Sequence, residues 1–349
     1  MRGRMRIAVT VLCVLGSATG LSAQATAGDV LFQSEEPLEL TLEADFELLR
    51  GDRRGEAPER PAMVRLVDAN GVEHEIEAQL RTRGRFRRDA ANCTYPPLRL
   101  NLKKKQTEGT EFEGQDKLKV VGSCRPNRES YDQLVLLEYL AYRSYERVST
   151  MAFRTRLARI TYVDSNGASD PFTRFAFFIE DDDALGDRFG ATVFQMEEGK
   201  NLPPGFLDAP TAATAAVFAY MIGNTDWSDV AGHNVELLDL AGIALPVPYD
   251  FDFSGIVNAP YAIPDPSLGI KDVRERYYRG WCFKMDMTDT VQRFADAEED
   301  ILSLWRDLPW LDDGQKNRTV RYLEVFFEEV QSIERAERRF LRDCRAMPG

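Results

Sequence analysis

The chain has 349 residues and a formal net charge of -13 at pH 7, which is enough for one large or two modest domains. Its 44% hydrophobic and 29% charged residues are ordinary for a soluble globular protein. So acidic a chain is a poor candidate for binding nucleic acid, because nucleic acid attracts basic surfaces.

The first 25 residues are predicted to be a secretory signal peptide. They contain a basic region with three arginines, an apolar core over residues 7–15 and a small-x-small cleavage site at Ala23-Gln24-Ala25. A transmembrane anchor is the weaker alternative because the apolar run is too short, and no later stretch could span a bilayer. The mature chain is therefore expected to be secreted or periplasmic.

Four cysteines follow the signal peptide, and export favours their pairing in disulfides. They are Cys93, Cys124, Cys282 and Cys344. Of the three possible pairings we favour Cys93 with Cys124 and Cys282 with Cys344, because each pair falls within one predicted half of the chain. A zinc site is the alternative, but the sequence has no Cys-x-x-Cys and only two histidines.

Residues 26–180 are predicted to form a β-rich N-terminal half with one main helix. Alternating apolar and polar residues, together with hairpin-type turns, predict a series of strands. The strands cover residues 38–46, 62–67, 72–80, 98–102, 118–121, 156–163 and 172–179. Apolar residues at helical spacing predict the main helix over residues 131–145.

Residues 181–349 are predicted to form a mainly helical C-terminal half. Residues 184–210 contain Gly and Pro and are expected to be irregular. Residues 289–305 and 316–344 have the pattern of long amphipathic helices. The boundary between the halves is placed near Glu180, where strands give way to helices.

An arginine-rich segment, residues 81–88, lies between two predicted strands and contains five arginines. One interpretation is a solvated basic turn. The other is an anion-binding loop, because Gly84 lets backbone amides approach a phosphate and arginines bind its oxygens. Both interpretations remain open from the sequence.

Two polar segments in the C-terminal half are predicted to form one site. Residues 224–234 follow an apolar helix-like run over 212–222, and residues 248–255 follow a strand-like run over 243–247. Residues 235–238 read as a further strand between them. The polar segments would therefore meet across a hairpin-like return.

Asp250 and Asp252 are the strongest candidate ligands in the second segment. On a strand, residues i and i+2 point the same way, so both carboxylates could reach one cation. The alternative is a turn with capping Asp residues. Tyr249, Phe251 and Phe253 make the surroundings apolar, and an unpaired carboxylate is costly to bury there. We therefore favour a functional role.

Asp226 is the candidate catalytic residue of the first segment. Alone it could equally be a cap after the end of a helix, because Asn224-Thr225-Asp226 is rich in turn formers. Only its pairing with the second segment favours function. His233 is expected to be structural, because one histidine cannot build a zinc triad and no Gly-x-Ser-x-Gly elbow accompanies it.

With these segments in chain order, the sequence resembles the CotH-like family of secreted atypical protein kinases over roughly residues 75–260. The similar segments are Arg83-Gly84, residues 95–102, the helix around Glu138, residues 177–180, residues 224–234 and residues 249–252. The resemblance implies an α+β, two-lobed protein-kinase-like fold. Its N-terminal lobe would be β-rich and its C-terminal lobe mainly helical.

The same resemblance implies roles for individual residues in binding ATP and Mg²⁺ or Mn²⁺. Asp226 would be the catalytic Asp, and Asn234 with Asp250 or Asp252 would hold the metal. Arg83 of the Arg-Gly loop would bind the nucleotide, and Glu180 would lie beside the adenine. One of Arg99, Lys117 and Lys119 would contact a phosphate and pair with Glu138.

Three functional hypotheses follow. The first is an exported, metal-dependent, kinase-like phosphotransferase that moves the γ-phosphoryl group of ATP to a hydroxyl of a protein or small molecule. The second is a non-catalytic (pseudokinase) binding or envelope protein of the same fold. The third is a metal-dependent phosphohydrolase that uses the same acids with water as the nucleophile. The oligomeric state is left open.

Overall fold

A computed structural model describes residues 27–68, 70–197 and 199–348 of the chain. The predicted signal peptide over residues 1–25 lies outside the described residues. The described part contains ten strands and eight α-helices. Short 3-10 helices also occur, among them Ala27–Phe32 and Phe86–Arg88.

Seven strands of the N-terminal half close into a mixed β-barrel in the order β1-β2-β3-β4-β5-β7-β6. The strands are β1 (Leu38–Ala44), β2 (Arg60–Val67), β3 (Glu73–Thr82), β4 (Leu98–Leu102), β5 (Lys117–Gly122), β6 (Thr155–Asp164) and β7 (Phe172–Ile179). Neighbouring strands are antiparallel except for β1 and β6, which run parallel from Leu38 opposite Ala158 to Ala44 opposite Asp164.

The barrel interior is one of the hydrophobic cores of the molecule. On β3, buried Ile76, Ala78 and Leu80 alternate with more exposed residues, as the period of a strand requires. Leu80 lies opposite Leu100 of β4, which is also buried. The predicted alternation of apolar and polar residues on the strands is thus confirmed as an inside–outside pattern.

A three-stranded antiparallel sheet and most of the helices form the rest of the molecule. The sheet has the order β10-β9-β8, with β8 (Thr192–Val193), β9 (Val235–Leu240) and β10 (Ile243–Pro248). The helices are α1 (Phe46–Gly51), α2 (Ser130–Val148), α3 (Asp182–Phe189), α4 (Ala209–Ile222), α5 (Thr288–Asp296), α6 (Glu298–Asp307), α7 (Asp313–Val330) and α8 (Ile333–Asp343).

The second core joins α2 of the N-terminal half to the helices of the C-terminal half. Leu137 and Leu140 of α2 share this core with Phe218 of α4 and Trp305 of α6. The Trp305 indole Nε1 also donates a hydrogen bond of 2.9 Å to Ser144 Oγ of α2. The main helix, expected over residues 131–145, is therefore confirmed as α2 and packs against the helical part.

The expected two-lobed protein-kinase-like fold is wrong. The N-terminal strands close into a barrel, because β1 pairs in parallel with β6 in addition to its antiparallel partner β2. A second small sheet and eight helices complete the described residues. The long helices expected over residues 289–305 and 316–344 are also each divided in two.

Both expected disulfides are confirmed: Cys93 pairs with Cys124, and Cys282 pairs with Cys344. Such bonds persist in oxidising compartments, which fits an extracellular protein. None of the helices within the described residues has the length and apolarity needed to cross a bilayer.

We expect the stability of the protein to depend on pH through Glu146 of α2. Burial raises the pKa of this carboxyl to about 7, although the nearby charge of Arg143 opposes the shift. The unfolded chain loses this proton near the ordinary value of 4.5, so the free energy of unfolding falls as the pH rises from there through the folded-state pKa.

The Glu146→Gln variant should therefore lose less stability than the wild type between pH 5 and pH 8, by roughly 1–3 kcal/mol. Urea denaturation at the two pH values measures this difference. The exposed Glu324→Gln of α7 is the matched control. Parallel pH profiles for wild type and Glu146→Gln would contradict the assignment.

Candidate functional site

Backbone hydrogen bonds bring the two polar segments together. At the end of the β9–β10 hairpin, Tyr249 N donates to Asn234 O at 3.0 Å. Beyond the end of α4, Gly255 N donates to Gly223 O, also at 3.0 Å. A Cβ on Gly255 would lie only 2.5 Å from the carbonyl oxygen of Val273, so this close approach requires glycine.

Asp226 is held by two neighbours in its own segment. His233 Nε2 lies 2.9 Å from Asp226 Oδ1, and Asn234 Nδ2 donates to Asp226 Oδ2 at 3.0 Å. The Asp226 carboxylate remains 40% exposed. The hydrogen bond to Asp226 raises the pKa of His233 above its ordinary value. The structure thus gives His233 the positioning role expected of it, and it places the Asn234 amide on Asp226.

Three carboxylates converge beneath this loop. One oxygen each from Glu138 of α2, Asp250 and Asp252 lies within 4.8 Å of the others. Tyr142 Oη accepts from Asp250 N at 2.8 Å, and Tyr261 Oη donates to Asp252 Oδ2 at 2.9 Å. We call Glu138, Asp250 and Asp252 the acid cluster.

The backbone is strained at both ends of the hairpin. Asn234 has φ +52° and Asp250 has φ +60°, a left-handed region that non-glycine residues seldom adopt. Such strain persists only where surrounding contacts hold it, and it is concentrated at functional sites.

Arg87 occupies the centre of the acid cluster. Its Nη1 lies 3.2 Å from Glu138 Oε2 and its Nε lies 3.4 Å from Asp252 Oδ2, while Nη2 donates to Asp250 Oδ1. Although burial alone would lower the pKa of Arg87, the charges of Asp252, Glu138 and Asp250 raise it well above its ordinary value. Sequence reasoning noted the segment of five arginines but did not single out Arg87.

The charges of the two polar segments act on each other. Burial raises the pKa of Asp252 to about 6, and the negative charges of Asp250 and Asp226 add to the rise while Arg87 opposes it. Burial likewise raises the pKa of Glu138 to about 8 against the charge of Arg87. The structure therefore brings Asp226, Asp250 and Asp252 to one site, together with Glu138.

A second charged group, which contains Lys119, lies beside the ring of Tyr249. Lys119 of β5 is buried, pairs with Asp182, and lies 4.4 Å from the ring centroid of Phe153 and 5.2 Å from that of Tyr249. Burial lowers the pKa of Lys119, and the positive charge of Arg83 lowers it further. Lys119 and Arg83 thus both lie near Tyr249, the residue before Asp250.

The remaining predicted nucleotide-binding residues lie apart from the acid cluster. Arg99 pairs with Asp181. Lys117 is exposed at the first position of β5. Glu180 is fully buried and pairs with Arg154 at 2.7 Å and with Arg188 at 2.9 Å. The ion pair expected between Glu138 and Arg99, Lys117 or Lys119 is replaced in the structure by its pair with Arg87.

The loop that carries Asp226 is anchored to the C-terminal tail by side-chain hydrogen bonds. Asp229 is 1% exposed and accepts hydrogen bonds from Trp281 Nε1 at 3.1 Å and from Arg345 Nη2 at 3.3 Å. Arg279 also donates to Thr225 O. The disulfide between Cys282 and Cys344 joins the segment that carries Trp281 to the tail that carries Arg345.

No family model matches the chain, and no curated protein is significantly similar to it. The resemblance to the CotH-like family therefore stays a prediction, and the function has to be argued from the site itself.

Asp229→Asn should lower the free energy of unfolding by about 1–3 kcal/mol, because it leaves the half-buried Arg345 without its charge partner. Urea denaturation measures the loss. The exposed Asp307→Asn at the end of α6 is the matched control and should change stability by less than about 0.5 kcal/mol. Equal stability of the two variants would show that Asp229 does not anchor the loop.

Proposed function

We propose that the chain is a divalent-metal-dependent phosphotransferase, which moves the γ-phosphoryl group of ATP to a hydroxyl of a protein or small molecule. One observation carries this function: the carboxylates of Asp226, Asp250 and Asp252 come together at one hairpin, with Lys119 and Arg83 near Tyr249, the residue before Asp250. Phosphoryl transfer needs carboxylates for metal and acceptor, and cations for the phosphates. The fold does not enter into this inference.

The donor set fits a hard divalent cation. Asp250 and Asp252 offer carboxylate oxygens within one cluster, and Asn234 carries an amide oxygen immediately before β9. Oxygen-only sets of this kind suit Mg²⁺ or Mn²⁺. When bound, such an ion would neutralise phosphate charge.

The basic residues give the site its preference for a nucleotide phosphate. Lys119 is buried beside two aromatic rings, where water screens its charge weakly, and it already pairs with the carboxylate of Asp182. Arg83 follows β3 and its charge reaches the same region. Lys119 and Arg83 would thus face the phosphate oxygens of ATP.

Asp226 is suited to orient the acceptor hydroxyl. Its carboxylate is the most exposed of the acids in the site, and His233 and Asn234 fix its orientation. A carboxylate held in this way can accept the hydrogen of an attacking hydroxyl. Export and membership of the CotH-like family form part of the same proposal, on the resemblance of residues 224–234 and 249–252.

A specific observation favours a second candidate, a non-catalytic binding protein. Arg87 already neutralises part of the acid cluster with three ion pairs. A buried network of this kind can serve structure alone. The two candidates make opposite predictions about turnover.

The test is to incubate the purified chain with γ-labelled ATP and Mn²⁺, and to follow label on protein, release of phosphate and thermal stability. We expect Mn²⁺ with ATP to raise the melting temperature of the wild type and label to appear on protein. Asp226→Asn should lower the transfer rate about 100-fold or more. Asp252→Asn should abolish both the transfer and the rise in melting temperature that Mn²⁺ produces in the wild type.

The exposed Asp307→Asn is the matched control and should behave as the wild type does. Release of phosphate with no labelled acceptor would overturn transfer in favour of a phosphohydrolase. If labelling, phosphate release and thermal stability all fail to respond to ATP with Mn²⁺, both phosphotransfer and phosphohydrolysis are overturned. The non-catalytic binding protein then remains.

A further inference from the structure

Arg87 is a buried cation in contact with the acids of the site. It belongs to the 3-10 turn Phe86–Arg88 between β3 and β4 and is 8% exposed. Its guanidinium contacts all three members of the acid cluster. It therefore joins the barrel to α2 and to the end of the β9–β10 hairpin.

The dimensions of the acid cluster match those of a metal coordination sphere. Metal–oxygen distances for divalent cations are about 2.0–2.6 Å, so two ligand oxygens on opposite sides of an ion lie roughly 4–5 Å apart. The three carboxylates offer oxygens within 4.8 Å of one another. An ion bound to all three would lie among these oxygens, which is where the guanidinium of Arg87 now lies.

A second observation points to a missing ligand. Glu138 is 2% exposed, and its Oε1 has no hydrogen-bond partner among the described residues. An unpaired carboxylate oxygen is costly to bury. Arg87 binds the other oxygen, Oε2, so Oε1 is free to coordinate a cation that the structure does not supply.

We propose that Arg87 and a divalent cation are alternative occupants of the acid cluster, with Glu138 as a metal ligand beside Asp250 and Asp252. Arg87 holds the carboxylates together when the cation is absent, and the cation displaces its guanidinium on binding. This competition rests on the metal site of the proposed function but not on phosphoryl transfer.

The charges in the acid cluster favour exchange of Arg87 for the divalent cation over the binding of both at once. When all three carboxylates are ionised, they and the Arg87 guanidinium carry a net charge of two negatives, which attracts a further cation. Two cations in contact within the same small cluster would repel each other strongly, because little water screens them. Moving the flexible Arg87 side chain outward relieves this repulsion, and the neighbouring Arg85 and Phe86 are already exposed.

The experiment is a titration of the purified chain with Mn²⁺ alone, followed by calorimetry or by the electron paramagnetic resonance of free Mn²⁺. Arg87→Gln should bind Mn²⁺ about tenfold or more tightly than the wild type, because the competing charge is gone. Arg85→Gln, in the same loop but exposed, is the matched control and should bind as the wild type does.

Glu138→Gln provides an independent measurement, which also decides the matter if Arg87→Gln does not fold. It should bind Mn²⁺ about tenfold or more weakly than the wild type, because one ligand charge is lost. Unchanged affinity in Glu138→Gln, or unchanged or weaker affinity in folded Arg87→Gln, would overturn the competition.

The two proposals fail in different ways. If Mn²⁺ binds and responds to Arg87→Gln as expected while no phosphoryl transfer occurs, only the phosphotransferase is overturned. If neither the wild type nor Arg87→Gln binds Mn²⁺, the metal site itself is overturned.

Discussion

The molecule depends on the balance of charge between Arg87 and the three carboxylates around it. Each of these groups would be costly to bury alone, and together they come from three parts of the chain. Arg87 follows a barrel strand, Glu138 lies on the main helix, and Asp250 and Asp252 follow the β9–β10 hairpin. Loss of Arg87 would leave the three acids without their shared cation, and its ion pairs join the barrel to the helical part.

Local patterns in the sequence predicted most strands and the main helix, because these depend on neighbouring residues. The disulfides were predicted for a different reason, that each pair falls within one half of the chain. Closure of the barrel was missed, since the pairing of β1 with β6 joins residues more than a hundred positions apart and leaves no local period. The divided helices were missed for a different reason. An amphipathic pattern continues through a break such as Ala297, which ends α5 and begins α6.

The candidate site was predictable where the residues carried their own context. Asp250 and Asp252 stood out because aromatic residues flank them, and the hairpin does bring them to Asp226. Arg87 did not stand out, because nothing local distinguishes it from the other arginines of residues 81–88. Glu180 was assigned by resemblance alone, and its partners Arg154 and Arg188 could be found only from the folded chain.

The hairpin places two kinds of carboxylate side by side. Asp226 is 40% exposed and is held by Asn234 and His233, so it can meet a substrate at the surface. Asp252 is buried against Arg87 and Tyr261, so its oxygens are screened from water and favour a cation. The strained backbone at Asn234 and Asp250 holds the exposed Asp226 close to the buried Asp252. A site that only stabilised the fold would gain nothing from keeping the first carboxylate exposed.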